Sequence, residues 1–107
     1  MPKVSFNSPL PLVRLEENKL VISDNAITIL QLKPGNRIQV NYIQSKYESM
    51  PVIARSEVFS DPNAGNVLTH SNTVSFKGMQ QSILAQFGHL FEIKEYISGM
   101  FQMIPIE

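Results

Sequence analysis

Few side chains in this 107-residue chain are of a type that does covalent or metal chemistry. Its histidines are His70 and His89, its aspartates are Asp24 and Asp61, and it contains no cysteine. Without cysteine there is no disulfide framework, thiolate zinc site or thiol nucleophile. An imidazole can act as a general base or metal ligand, but it needs partners at set spacing. The chain has no His-x-x-x-His, no Glu beside a histidine pair and no Gly-x-Ser-x-Gly. Gly35, Gly65, Gly78, Gly88 and Gly99 are scattered, so no loop gathers enough of them to cradle a phosphate. His70 falls beside a predicted hairpin turn and His89 just after a predicted helix, places where surface or capping roles are ordinary. The expectation is a protein that is not an enzyme and uses no metal or cofactor.

Binding chemistry is better represented. Arg14, Lys19, Arg37, Arg55 and Lys77 are the cations that local structure could gather. Of these, Arg14, Lys19, Arg37 and Lys77 are the candidate nucleic-acid contacts, since they flank the first predicted hairpin turn, begin a strand or stand at a helix start. Nine basic and nine acidic residues leave no net charge. Domains built around the phosphate backbone usually carry a basic excess, so DNA contact would have to come from local clustering. The bland alternative is an ordinary solvated surface. Met79, Met100 and Met103 crowd the second half together with Phe76, Phe87, Phe91 and Phe101. Core packing is their default role, and any that are exposed would suit contact with another protein or self-association.

The elements that position these residues follow from short-range patterns. Residues 1–11 hold Pro2, Pro9 and Pro11 and read as an extended arm. Val13 and Leu15, then Leu20 and Ile22, alternate with polar residues around Glu17-Asn18, a hairpin with a turn residue that tolerates positive φ. Ser23-Asp24-Asn25 offers N-cap oxygens, Ala26, Ile29 and Leu30 follow at helical spacing, and Lys33-Pro34-Gly35 stops the helix. Arg37 to Ile43 alternates as a strand with Ile38, Val40 and Tyr42 on one face. Gln44 to Met50 reads as a loop and Pro51 to Phe59 as a strand. Ser60 to Gly65 is a linker dense in turn residues. The second half gives a hairpin over Val67 to Phe76 turning at Asn72. A helix then carries Met79, Ile83, Leu84 and Phe87 on its apolar face. Strands follow from Leu90 to Tyr96 and from Met100 to Ile106. Pro105 makes the last strand an edge or barrel-closing strand and a candidate oligomer contact.

These elements repeat. A shift of 54 positions sets Asn18 on Asn72, Leu20 on Val74, Ile22 on Phe76 and Ile29-Leu30 on Ile83-Leu84; a shift of 53 sets Gly35 on Gly88, Ile38 on Phe91 and Val40 on Ile93. The chain therefore reads as one domain, 1–107, with internal repeats 12–59 and 66–106. Each repeat is ββαββ, too small to bury its apolar faces alone, and two could pair into a closed barrel without free edges. The expected fold is mainly β with two short helices, a small closed barrel of two ββαββ repeats.

Leu30-Gln31-Leu32-Lys33-Pro34-Gly35-Asn36-Arg37-Ile38-Gln39-Val40, preceded by a strand and short helix, resembles the AbrB/SpoVT/MazE family of swapped-hairpin domains. That family runs strand, short helix, then Leu-x-Leu-x-x-Gly-Asp-x-Val-x-Val. The chain departs from it at Ile22-Ser23-Asp24-Asn25-Ala26-Ile27, which lacks the family's proline and arginine before the helix. The same turn occurs in double-psi barrels, so both topologies stay open. The resemblance implies DNA binding by a regulator or accessory protein, with Lys77 where the family places DNA-contacting residues. The alternative is a protein–protein or assembly module, such as a viral or mobile-element accessory protein, that binds no nucleic acid. No apolar run approaches the ~20 residues that span a bilayer, and MPKVSFNSPLPL lacks the apolar stretch of a secretory signal. A soluble, cytoplasmic protein with no membrane partner is expected.

Overall fold

The computed structural model describes residues 9–44, 46–59 and 63–106. The first hairpin forms where the alternation places it. β1 (Leu12–Glu16) and β2 (Lys19–Ile22) pair with Leu15 opposite Leu20, and Asn18 takes φ 64° at the turn. The buried Ser23 caps α1 (Asp24–Leu30) by accepting the Ala26 amide at Oγ. Gln31, in a left-handed conformation, ends the helix. Lys33-Pro34-Gly35-Asn36 then turns the chain: the Asn36 N–H donates to the Lys33 carbonyl at 3.0 Å and Gly35 takes φ 97°. Proline at the second position and glycine at the third meet the backbone needs of a type II turn.

β3 (Arg37–Gln44) and β4 (Ser49–Arg55) make a long hairpin, so the polar segment between them is a tighter tip than the expected loop. β4 also ends earlier than the alternation suggests. Ser56–Phe59 is a 3-10 turn, because Ser56 is buried and its Oγ donates to the Ala64 carbonyl at 2.7 Å. The second half supplies β5 (Asn66–Val67), β6 (Thr73–Ser75), α2 (Met79–Ala85), β7 (Leu90–Ile97) and β8 (Met100–Pro105). The expected arm lies mostly, and the linker partly, outside the described residues. Among the described residues, no helix is long and apolar enough to cross a membrane.

The eight strands form one mainly antiparallel sheet in the order β5-β3-β4-β8-β7-β1-β2-β6. A bridge between Leu68 and Val74 brings its two ends together, so the sheet is a nearly closed barrel. β8 runs between β4 and β7. Of its two expected places, edge or barrel-closing strand, the edge is corrected, and the oligomer contact expected there falls on a strand paired along both sides. Inside lies one apolar cluster drawing on every long strand, with Ala26 and Leu30 from α1 and Leu84 from α2. Met79, 76% exposed, and Ile83, 36% exposed, lie largely outside it. The apolar face expected of α2 is thus only partly spent on the core. A seven-residue helix has two turns, enough to bury little more than one large side chain.

The pairing has a regularity that local patterns do not show. No hairpin pairs with the other hairpin of its own half; β1 pairs with β7, β3 with β5, β2 with β6 and β4 with β8. Exchanging the first half for the second leaves this set unchanged. Leu20 and Val74, matched by the 54-residue shift, face each other directly. The hydrogen bonds follow suit: the Ile22 N–H donates to Asn72 O at 2.9 Å and the Phe76 N–H to Asn18 O at 3.0 Å. Likewise Leu15 donates to His89 O at 2.7 Å and Leu68 to Asn36 O at 2.8 Å.

Candidate binding surfaces

On β1, Arg14 and Glu16 alternate with the buried Val13 and Leu15 and face outward. The Arg14 Nε lies 2.7 Å from the Glu16 carboxylate, and Lys19 Nζ lies 3.8 Å from the same group. Lys19 begins β2 opposite Ser75 of β6, and Lys77 is exposed two residues beyond. Arg14 and Lys19 therefore sit on the neighbouring strands β1 and β2, and Lys77 follows the end of β6 near the turn at Asn18. Glu16 and Glu17 occupy the same region and offset much of their charge. Arg37 starts β3 and donates to the Gly65 carbonyl at 3.1 Å. Three strands separate β3 from β1 in either direction around the sheet, so Arg37 lies on the opposite wall. Arg55, at the end of β4, pairs with Glu57 at 3.6 Å. The candidate cations thus form one small mixed-charge group plus outliers. His70 and His89 are exposed, and among the described residues no three His, Cys, Asp or Glu gather as a metal site.

Two clefts of about 220 Å³ each lie at the long hairpins. One is bounded by the β3–β4 tip and the end of β8, with Met50, Pro51, Phe87, Met103 and Pro105 among its walls. The other is bounded by the β7–β8 tip and the end of α1, with Ile29, Gln31, Arg55, Glu95 and Phe101. When β4 is laid on β8, with Val52 on Gln102, Pro51 falls on Phe101 and Arg55 on Pro105. The same scaffold therefore presents an apolar cleft at one end and a charged one at the other. Beside the apolar cleft, the Tyr42 ring stacks on Phe87 with centroids 5.6 Å apart. Its hydroxyl is buried without a hydrogen-bond partner among the described residues, and burial raises its pKa. A phenol held in its neutral form is a poor base. Among the described residues, no nucleophile, base and oxyanion donor converge at either cleft.

Three exposed apolar side chains belong to the elements that bound the charged cleft. Tyr96 is 46% and Ile97 53% exposed at the β7–β8 tip, and Ile29 is 40% exposed on the cleft's helical wall. The alternation that buries Phe91 and Ile93 ends at the exposed Glu95, and the register of β7 against β8 shifts between Glu95 and Ile97. Sequence reading assigned no role to this pair. Its visible signal was two adjacent large apolar residues directly before Ser98-Gly99. Tyr47, 88% exposed, occupies the other tip with Lys46 Nζ 5.8 Å from its ring centre. Compared with known protein families, curated proteins and solved structures, the chain finds no match.

Proposed function

We propose that this chain is a non-enzymatic β-barrel module that works by contact with another protein, through the β7–β8 tip. The observation that carries this reading is the exposure of Tyr96 and Ile97 at the β7–β8 tip, whose Glu95, Ser98 and Gly99 wall a cleft shared with Ile29 and Arg55. Exposed aromatic and aliphatic side chains beside a few charges are the ordinary makings of a contact centre with a polar rim. A photoreactive side chain at Ile97, in cells that make the protein, should give a discrete protein adduct that Tyr96→Ser abolishes. The same probe at Ser71, an exposed turn residue remote in sequence, should give none. Absence of an adduct at Ile97, or identical adducts at both positions, removes this reading.

A second reading, DNA binding in the manner of the AbrB/SpoVT/MazE family, has its own support. Arg14 and Lys19 lie on the adjacent strands β1 and β2, and Lys77 stands just beyond the end of β6, which pairs with β2. The interleaving of hairpins from the two halves also suits the swapped-hairpin arrangement and an ancestral duplication of a ββαββ unit. If it holds, duplex DNA is retained in a low-salt gel shift at micromolar protein, and retention falls as salt rises. Substituting Arg14, Lys19 and Lys77 together by alanine should abolish retention, while Arg37→Ala on the opposite wall changes it little. No retention of duplex or single-stranded DNA ends the DNA reading.

A further inference from the structure

The seam that joins β4 to β8 is made by the pairs Val52 with Gln102 and Ile53 with Phe101. Carried further, the same register would set Pro51 against Met103 and Ser49 against Pro105. Neighbouring bonds fix which main-chain groups face this seam. The Ile106 N–H donates to the Leu90 carbonyl, so Ile106, Ile104 and Gln102 turn their main-chain groups toward β7, and Met103 and Pro105 turn theirs toward β4. The Leu68 N–H bond to the Asn36 carbonyl fixes β3 in the same way, and through it turns Ser49 and Pro51 toward β8. A proline therefore stands at each of the next two donor positions. Proline carries no N–H, so the Met103 carbonyl receives nothing from Pro51 and the Ser49 carbonyl nothing from Pro105. Here the strands stop pairing, and the apolar cleft opens between them.

Removing donors while keeping carbonyls leaves a place that accepts hydrogen bonds. The exposed Glu48 also lines this cleft, and no lysine, arginine or histidine is among its lining residues. The rest of the wall is mainly hydrocarbon and sulfur, with Met50, Met103 and Phe87, whose ring is held by its stack on Tyr42. Thioethers and an aromatic ring suit a flat aromatic body. Carbonyls beside a carboxylate suit an ammonium group, which donates and never accepts. We infer that this cleft binds a small aromatic amine, its ammonium group donating to the Met103 and Ser49 carbonyls beside Glu48 and its ring lying against Met50, Met103 and Phe87. The cleft, about 220 Å³, is smaller than the ~300–1,000 Å³ of drug-sized sites, so one ring on a short chain fills it. It lies at the other end of the β4–β8 seam from the β7–β8 tip, so the inference does not depend on protein contact there.

The methionines report on the site directly. Met50 and Met103 line the cleft, whereas the exposed Met79 opens α2, at the far end of that helix from Phe87. The full-length chain, labelled with ¹³C at its methionine methyl groups, is titrated with 2-phenylethylamine at pH 7. The Met50 and Met103 signals should shift and saturate with a Kd of about 1 mM, as befits so small a ligand, while Met79 stays in place. 2-Phenylethanol, neutral and of the same shape, should bind about fivefold more weakly, because a charged donor makes the stronger hydrogen bond. Pro51→Val returns a strand N–H to the Met103 carbonyl and should weaken amine binding about tenfold. If that variant fails to fold, Pro105→Val at an exposed position returns one to the Ser49 carbonyl and should act in the same direction. Glu48→Gln should weaken the amine about threefold. Nα-acetyl-lysinamide, with its ammonium on an aliphatic chain, should bind more weakly than the aromatic amine. The inference is overturned by no saturable shift at Met50 and Met103, by equal affinity for amine and alcohol, or by an affinity that the folded proline variant leaves unchanged. Tighter binding of Nα-acetyl-lysinamide overturns it too, in favour of a protein lysine as occupant.

Discussion

Removing one oxygen, by Ser23→Ala, should loosen the join between β1 and α1 more than any surface change. Ser23 Oγ accepts the Ala26 amide at 3.2 Å and the Leu12 amide at 2.9 Å, while the Ser23 N–H donates back to the Leu12 carbonyl at 2.9 Å. Ser23 is 0% exposed, so water cannot replace the lost acceptor. Loss of the helix cap costs about 1 kcal/mol. Leaving the buried Leu12 amide unpaired adds about 1–3 kcal/mol. The sum, about 2–4 kcal/mol, is a large fraction of the ~5–15 kcal/mol that holds an average domain. Equilibrium urea unfolding should show a lower midpoint at unchanged slope, and the thermal midpoint should fall by roughly 10–20 °C. Lys77→Ala, at the matching position of the second half, is the contrast. Lys77 is exposed and α2 has no side-chain cap, so its loss should stay within about 0.5 kcal/mol. A Ser23→Ala loss below about 0.5 kcal/mol, or equal to that of Lys77→Ala, would refute the double role of this hydroxyl.

Asn18 and Asn72 hold φ values of 64° and 61° at corresponding turns. Alanine at either should cost about 1 kcal/mol and glycine much less, and Asn72→Ala should cost more because Asn72 also donates to the Asp24 carboxylate at 3.1 Å; urea midpoints check both. Tyr42→Phe deletes a buried, unbonded hydroxyl and should leave stability at pH 7 unchanged or raised by up to about 1 kcal/mol, so a clear loss in thermal melts would contradict the burial argument. Burial raises the Tyr42 pKa above 10.0, so the folded state keeps its proton longer than the unfolded state. That contribution is present below about pH 10 and lost as pH rises through the higher folded value; the alkaline loss of stability should therefore shrink in Tyr42→Phe, as urea midpoints at pH 9 and pH 11 would show.

Much of the molecule is legible in the sequence because its elements obey local rules. Alternation marked the hairpins, Ser23 marked the helix start, and Pro34-Gly35 marked the turn after it, since each depends on atoms only a few residues apart. Short-range rules failed where a distant group intervened. Ser56 leaves the strand pattern to bond Ala64, the burial alternation of β7 stops at Glu95, and α2 is too short to bury Met79.

The order of strands, the interleaving of the halves and the grouping of charges were decided only in three dimensions. β2 finds β6 more than fifty residues away because that pairing lets both halves bury their apolar faces in one cluster. No local period encodes which outward-facing side chains become neighbours as a result. Arg14 and Arg37 look equivalent along the chain and stand on opposite walls of the barrel, whereas Ile29 and Glu95, far apart along it, line one cleft.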